Sequence, residues 1–154
     1  MLFSITTFTL AWLAYIRFAD KTKFHKLYPT VLLAMYLASS VDLFGSHHYK
    51  LWDYREEDKE GIEYLHHLLQ QLGIYPVVTY LFLQYIPCEE INWRLLRYIF
   101  YWTLLSLTVE WLAIITGNMY YSKWWTLGYS YLADWILFLI FFFHYRWRKK
   151  HESG

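Results

Sequence analysis

The chain is poor in the features that mark ordinary soluble proteins. Its 154 residues include a single cysteine, Cys88, which excludes an internal disulfide and any paired-cysteine site for zinc or haem attachment. With 6 Gly and 3 Pro it holds no glycine-rich phosphate loop, no G-x-S-x-G elbow and no H-E-x-x-H helix. Charged residues are 18%, against roughly a quarter in soluble domains. The net charge of +1 implies no strongly acidic or basic partner, and no basic, aromatic-interleaved surface fits a nucleic acid. No internal repeat, low-complexity tract or linker divides the chain, so it reads as one domain over 1–154.

What is abundant is apolar and aromatic. Hydrophobic residues reach 57%, above the roughly 45–50% of soluble domains. The aromatics, 9 Trp, 16 Tyr and 11 Phe, make up 23%, more rings than a small soluble interior can bury. The mean hydropathy of +0.16 is modest because Tyr and Trp score poorly on such scales, yet both favour membrane interfaces.

The charges map a membrane. Residues 1–16 carry none, 27–49 only Asp42, 64–88 none beside His66 and His67, 98–122 only Glu110, and 124–145 only Asp134. A spanning helix needs roughly 20 apolar residues. The runs are too long and too evenly apolar for barrel strands, and lipid leaves a span no other way to satisfy its backbone. The expected fold is therefore all-α, a bundle of five transmembrane helices at roughly 2–18, 28–46, 67–86, 98–116 and 129–146, with a basic tail at 147–154. Connections then alternate sides. One side receives Arg17, Lys21, Lys23, Lys26, Arg94, Arg97, Arg146, Arg148, Lys149 and Lys150; the other receives Lys50, Arg55, Lys59 and Lys123. The positive-inside rule places the N-terminus outside and the C-terminus in the cytoplasm. Residues 1–16 lack the positive n-region and small-residue cleavage site of a signal peptide. A four-span form would break the alternation of basic loops.

Each span has one face unlike the rest. Thr30, Ala34, Ala38 and Asp42 recur every four residues, continued by Gly45 or Ser46. Thr103, Ser106, Glu110, Ala113 and Gly117 share a face of the fourth span, and His66, Gln70, Gly73, Val77, Tyr80 and Gln84 a face of the third. Ser4, Thr7, Ala11 and Ala14 do so on the first. Small residues let helices approach closely in lipid, so packing accounts for the stripes. Pro76 should kink the third span or free a carbonyl.

Packing does not account for the acids. Asp42, Glu110 and Asp134 all fall in the outer part of the bilayer, where the spans hold no Lys or Arg. An Asp at a helix centre costs roughly 2.5–3.5 kcal/mol, less toward the interface. Such groups are protonated, hydrogen-bonded, metal-bound or met by something dipping in from outside. The outer side offers His47 and His48 after the second span, and Glu63, His66 and His67 opening the third. Glu63-x-x-His66 is a spacing that metal-binding bundles use. The candidate metal ligands are thus Asp42, His47, His48, Glu63, His66, His67, Glu110 and Asp134, in a donor set that suits zinc, manganese or iron. Protons are the alternative occupant. His25, His144 and His151 read as parts of the basic flanks. Trp52, Tyr120, Tyr121, Trp124 and Trp125 read as an outer aromatic belt, with an aromatic ligand cage as the other reading; Trp93, Tyr98, Tyr145 and Trp147 form the inner belt. Arg146, Arg148, Lys149 and Lys150 form a juxtamembrane cluster suited to anionic lipid.

The layout resembles that of small multi-pass membrane proteins of Gram-positive, spore-forming bacteria. The shared features are His47-His48 after an Asp-bearing span, Tyr75-Pro76 inside the third, Glu110-Trp111 in the fourth and Ala133-Asp134-Trp135 opening the last. The resemblance implies the fold and brings no activity with it. Three classes stay open: a membrane scaffold or accessory subunit, a metal-dependent enzyme acting on a lipid or lipid-linked substrate, and a small proton-coupled transporter, as a homo-oligomer. No nucleophile–base pair speaks for the enzyme. No continuous polar path or broken half-helix speaks for the transporter.

Overall fold

Proline and capping residues set where the helices widen and stop. A computed structural model describes residues 2–54 and 68–152. Helix α1 (Leu2–Phe18) is followed by a 3-10 turn (Lys21–Lys23) and by α2 (Phe24–Asp42), which continues into a π-turn (Leu43–His48). A second π-turn (Gln70–Ile74) leads into α3 (Tyr75–Gln84), and α4 (Trp93–Ile115) and α5 (Leu127–Glu152) complete the helices. Lys21–His48, Trp93–Ile115 and Leu127–His151 are each long and apolar enough to cross a membrane, while α1 is apolar but shorter. At 1.5 Å per residue α4 extends about 35 Å, past the roughly 30 Å of a hydrocarbon core.

Three details depart from the expectation. The chain is not purely helical: β1 (Trp52–Tyr54) and β2 (Met119–Tyr121) pair antiparallel, with Trp52 opposite Tyr121 and Tyr54 opposite Met119. Lys50 and Lys123, both at positive φ, turn the chain beside these strands, and Ser122 N–H donates to Leu51 C=O at 2.7 Å. Second, the third apolar stretch is not one regular helix. Pro76 has no N–H for the Leu72 carbonyl and its ring crowds it. The preceding turn widens instead, Tyr75 N–H bonding to Gln70 C=O. Third, α4 begins at Trp93, ahead of the expected 98, because the Asn92 side chain accepts from the N–H groups of Arg94 and Leu95 (3.0 and 3.1 Å). It ends at Gly117, whose φ of 70° lets its N–H reach Ile114 C=O while Asn118 N–H reaches Ala113 C=O. This is a Schellman stop, so Gly117 terminates the helix rather than extending its packing stripe.

Helix α3 lies inside, against α1, α2 and α5, and α4 packs on α5. Lipid supplies no hydrophobic drive between helices, so close fit does the work. Thr30, Ala34 and Ala38 of α2 and Thr103 and Ala113 of α4 are buried as their spacing implied. One packed cluster gathers Leu27, Phe82, Leu95, Ile99, Phe138 and Phe142. A smaller one gathers Leu51, Trp52, Ala113 and Met119 at the end that bears the strands. The α1–α2 connection is fastened to α3: Asp20 N–H donates to Gln84 Oε1 and Tyr80 OH to Asp20 C=O, both at 2.7 Å. Leu10, Leu13 and Ile16 on α1, Leu104 and Leu112 on α4, and Leu132, Ile136 and Ile140 on α5 remain exposed. Apolar surface repeated along whole helices is rare on water-soluble monomers and is what lipid covers.

Candidate functional site

A strand places alternate residues on one side. Here Trp52, Tyr54, Met119 and Tyr121 turn toward the bundle, while Asp53 and Tyr120 face outward and share a hydrogen bond, Tyr120 OH to Asp53 Oδ2 at 2.9 Å. The inward residues meet the acids. Trp52 Nε1 and Tyr54 OH both donate to Asp42 Oδ1, each at 3.1 Å. Trp52 can reach that depth because Gly45 has no side chain: a Cβ there would lie 1.9 Å from Trp52 Cη2. Burial, then the neighbouring Tyr75 and Asp42, holds the Tyr54 phenol well above its usual range.

Glu110 receives the second half of the hairpin. Its Oε1 accepts from Tyr121 OH at 2.7 Å and from Ser130 Oγ, near the start of α5, at 2.8 Å. Trp125 Nε1 in turn donates to Ser130 Oγ at 2.9 Å. Burial also pushes the Tyr121 phenol up. Asp134 lies one turn further along α5 with the Ser106 hydroxyl beside its carboxyl. Its other oxygen, Oδ2, is buried and has no hydrogen-bond partner among the described residues.

Asp42, Glu110 and Asp134 line one cavity of about 250 Å³. Its walls run from Phe138 and Phe141 of the larger cluster to Trp52 and Met119 of the smaller one. Among the described residues no Lys, Arg or His lines it. A second hollow of about 140 Å³ shares Asp42, Gln70 and Tyr75 with the first and adds Ser39, Leu43, His47 and Gln71.

Of the four candidate histidines, His47 and His48 lie among the described residues. His47 lies on the smaller hollow, with Nδ1 at 2.8 Å from Ser46 Oγ. His48 is exposed and packs edge-on to Phe44 and Tyr49. Glu63, His66 and His67 lie outside the described residues. Among the described residues no three His, Cys, Asp or Glu stand close enough to hold a metal ion.

The local pattern missed several groups. Trp124 and Tyr120 are exposed, whereas Trp52 and Tyr121 donate to the acids and Trp125 to Ser130. The only signal was alternation within Trp-Asp-Tyr and Met-Tyr-Tyr, too short to read as strands. His144 is no mere flank: its Nδ1 lies 2.9 Å from Oγ1 of the fully buried Thr30 and joins α5 to α2. In the basic cluster Lys149 pairs with Glu89 and Arg148 Nη1 donates to Lys26 C=O at 3.4 Å. Compared with protein families, curated proteins and solved structures, the chain matches none.

Proposed function

We propose that the chain is a five-span membrane protein, N-terminus outside and C-terminus in the cytoplasm, that takes up a cation or a proton in an acid-lined cavity in its outer half. Residues Arg146, Arg148, Lys149 and Lys150 then sit at the anionic headgroups of the inner leaflet. One observation carries the reading. Three carboxylates line a single cavity, and Glu110 is held there by neutral donors, a phenol and a hydroxyl. Neutral donors hold a carboxylate in place without cancelling its charge. Three acids in a poorly hydrated layer repel one another, so an added proton or cation is favoured.

Infrared difference spectra of the purified protein test this. A carboxyl band that responds to pH or to added cation, and that is lost in Asp134→Asn or Glu110→Gln, is the expected result. Spectra in which no carboxyl of these three responds would overturn it.

A further inference from the structure

We infer that the occupant of the cavity is a small organic monocation with apolar substituents, an alkylated amine or a quaternary ammonium. The inference rests on the reading above and narrows it. A volume of about 250 Å³ is several times the roughly 30 Å³ share of one water and a little under the roughly 300 Å³ at which drug-sized sites begin. The space suits a small ligand rather than a bare ion.

The walls decide its chemistry. Val78 and Phe138, both part of the larger cluster, give the cavity apolar wall, and Trp52 of the smaller cluster lines it together with the three carboxylates. Most of the wall is apolar, so a metal ion entering here would exchange water for apolar contact over much of its surface. An alkylated cation loses little hydration and gains contact with the same walls. Asp42 Oδ1 already accepts from two donors and Glu110 Oε1 from two more, so these oxygens are engaged by the protein itself. What remains is long-range attraction from fixed negative charge, which a diffuse cation uses as well as a compact one. Aromatic rings complete the match: Trp52 and Trp125 line the cavity with centroids 5.2 Å apart, and indole faces attract alkylammonium groups.

The test uses the full chain in lipid nanodiscs and follows tryptophan fluorescence, with calorimetry as the second readout. The probes are choline, benzyltrimethylammonium, the neutral carbon isostere of choline (dimethylbutanol) and manganese. Saturable binding of at least one ammonium, at least about tenfold tighter than dimethylbutanol, is expected. Glu110→Gln and Asp134→Asn should each weaken it about tenfold or more. The comparison between isosteres is made on the wild type, so it stands even where a variant fails to fold. Binding of manganese but of neither ammonium, with the same dependence on the acids, overturns the organic cation and leaves the cation site. Absence of all binding beside a titrating infrared band overturns it too and leaves the proton. Dimethylbutanol binding as tightly as choline would show that charge plays no part, and both readings fall.

Discussion

Gly45→Ala is the sharpest test of how the cap is seated. In most helices this change is favourable, since Ala is better than Gly by roughly 0.8–1.0 kcal/mol. Here the new methyl would stand 1.9, 2.3 and 2.6 Å from Cη2, Cζ2 and Cζ3 of Trp52. Ordinary contact between carbons is about 3.5–4.0 Å, so the indole must retreat by more than an ångström. It is buried in the small cluster under the strands and cannot do so by rotating its tip alone. Overpacking of this kind costs about 1–3 kcal/mol. Pulling Nε1 away from Asp42 Oδ1 leaves an acceptor short of a donor, about 1–3 kcal/mol more. The net expectation is a loss of about 1–5 kcal/mol after the helix gain is subtracted. Chemical denaturation in detergent, read by tryptophan fluorescence and circular dichroism, measures it. Trp52→Phe removes the donor and narrows the ring. The double variant should therefore be less unstable than the two single losses summed. A Gly45→Ala protein as stable as wild type, or additive losses in the double variant, would refute the seating of Trp52 over Gly45 and with it the hold on Asp42.

Other outcomes follow from the same contacts. Ser130→Ala should destabilise by about 2–3 kcal/mol and Tyr121→Phe by about 1 kcal/mol. Either change takes one of two donors from Glu110, but serine loss also strands the indole N–H of Trp125; the reverse order in denaturation midpoints would contradict the network. Tyr54, raised by burial in the folded chain, contributes stability that is complete below the phenol's unfolded value of about 10 and is lost as pH climbs above it toward the folded value. Tyr54→Phe should therefore flatten the alkaline limb of the stability curve, and an unchanged limb would count against it. Single cysteines placed in a Cys88→Ser background at 53–60 should react with an impermeant reagent from outside, and one at 154 should not; labelling of the tail alone would invert the topology. Asp42→Asn should fold, since an amide oxygen can still accept from Trp52 and Tyr54, yet lose cation binding at least about tenfold; full binding in this variant would remove Asp42 from the site.

The parts of this fold that sequence made legible are those governed by short-range rules. Lipid-length runs between charges gave the helices, and four-residue spacing gave the buried faces of Thr30–Ala38 and Thr103–Ala113. Shared depth put Asp42, Glu110 and Asp134 in one layer, and they line one cavity. The parts that escaped depend on distant segments meeting or on the ends of helices. The donors to Asp42 and Glu110 arrive through a strand pair joining the connection after α2 to the one after α4. Three residues per strand carry too little alternation to announce it. The role of His144 was not legible because its partner, Thr30, lies on α2, 114 residues away in the chain. Pro76 was recognised as a disturbance, but whether a proline kinks a helix or widens it depends on neighbours, here Phe8 lying against Gly73.

The choice of donors around the acids bears on what they do. Carboxylates that only brace helices are served as well by Asn or Gln, which donate and accept and carry no charge. Carboxylates that must be silenced are usually met by Lys or Arg. Among the described residues no Lys or Arg lines this cavity, and its one side-chain amide is Gln70. Instead Trp52, Tyr54, Tyr121 and Ser130 fix Asp42 and Glu110 by hydrogen bonds from uncharged groups. At Glu110 that arrangement fixes position and preserves charge, the two properties that binding a cation requires and a purely structural contact does not. Three of the four donors come from two short paired strands, of which Trp52, Tyr54 and Met119 also line the cavity. Holding the acids and walling the cavity are thus done in part by the same side chains, and a change that loosens the strand pair must also loosen the carboxylates.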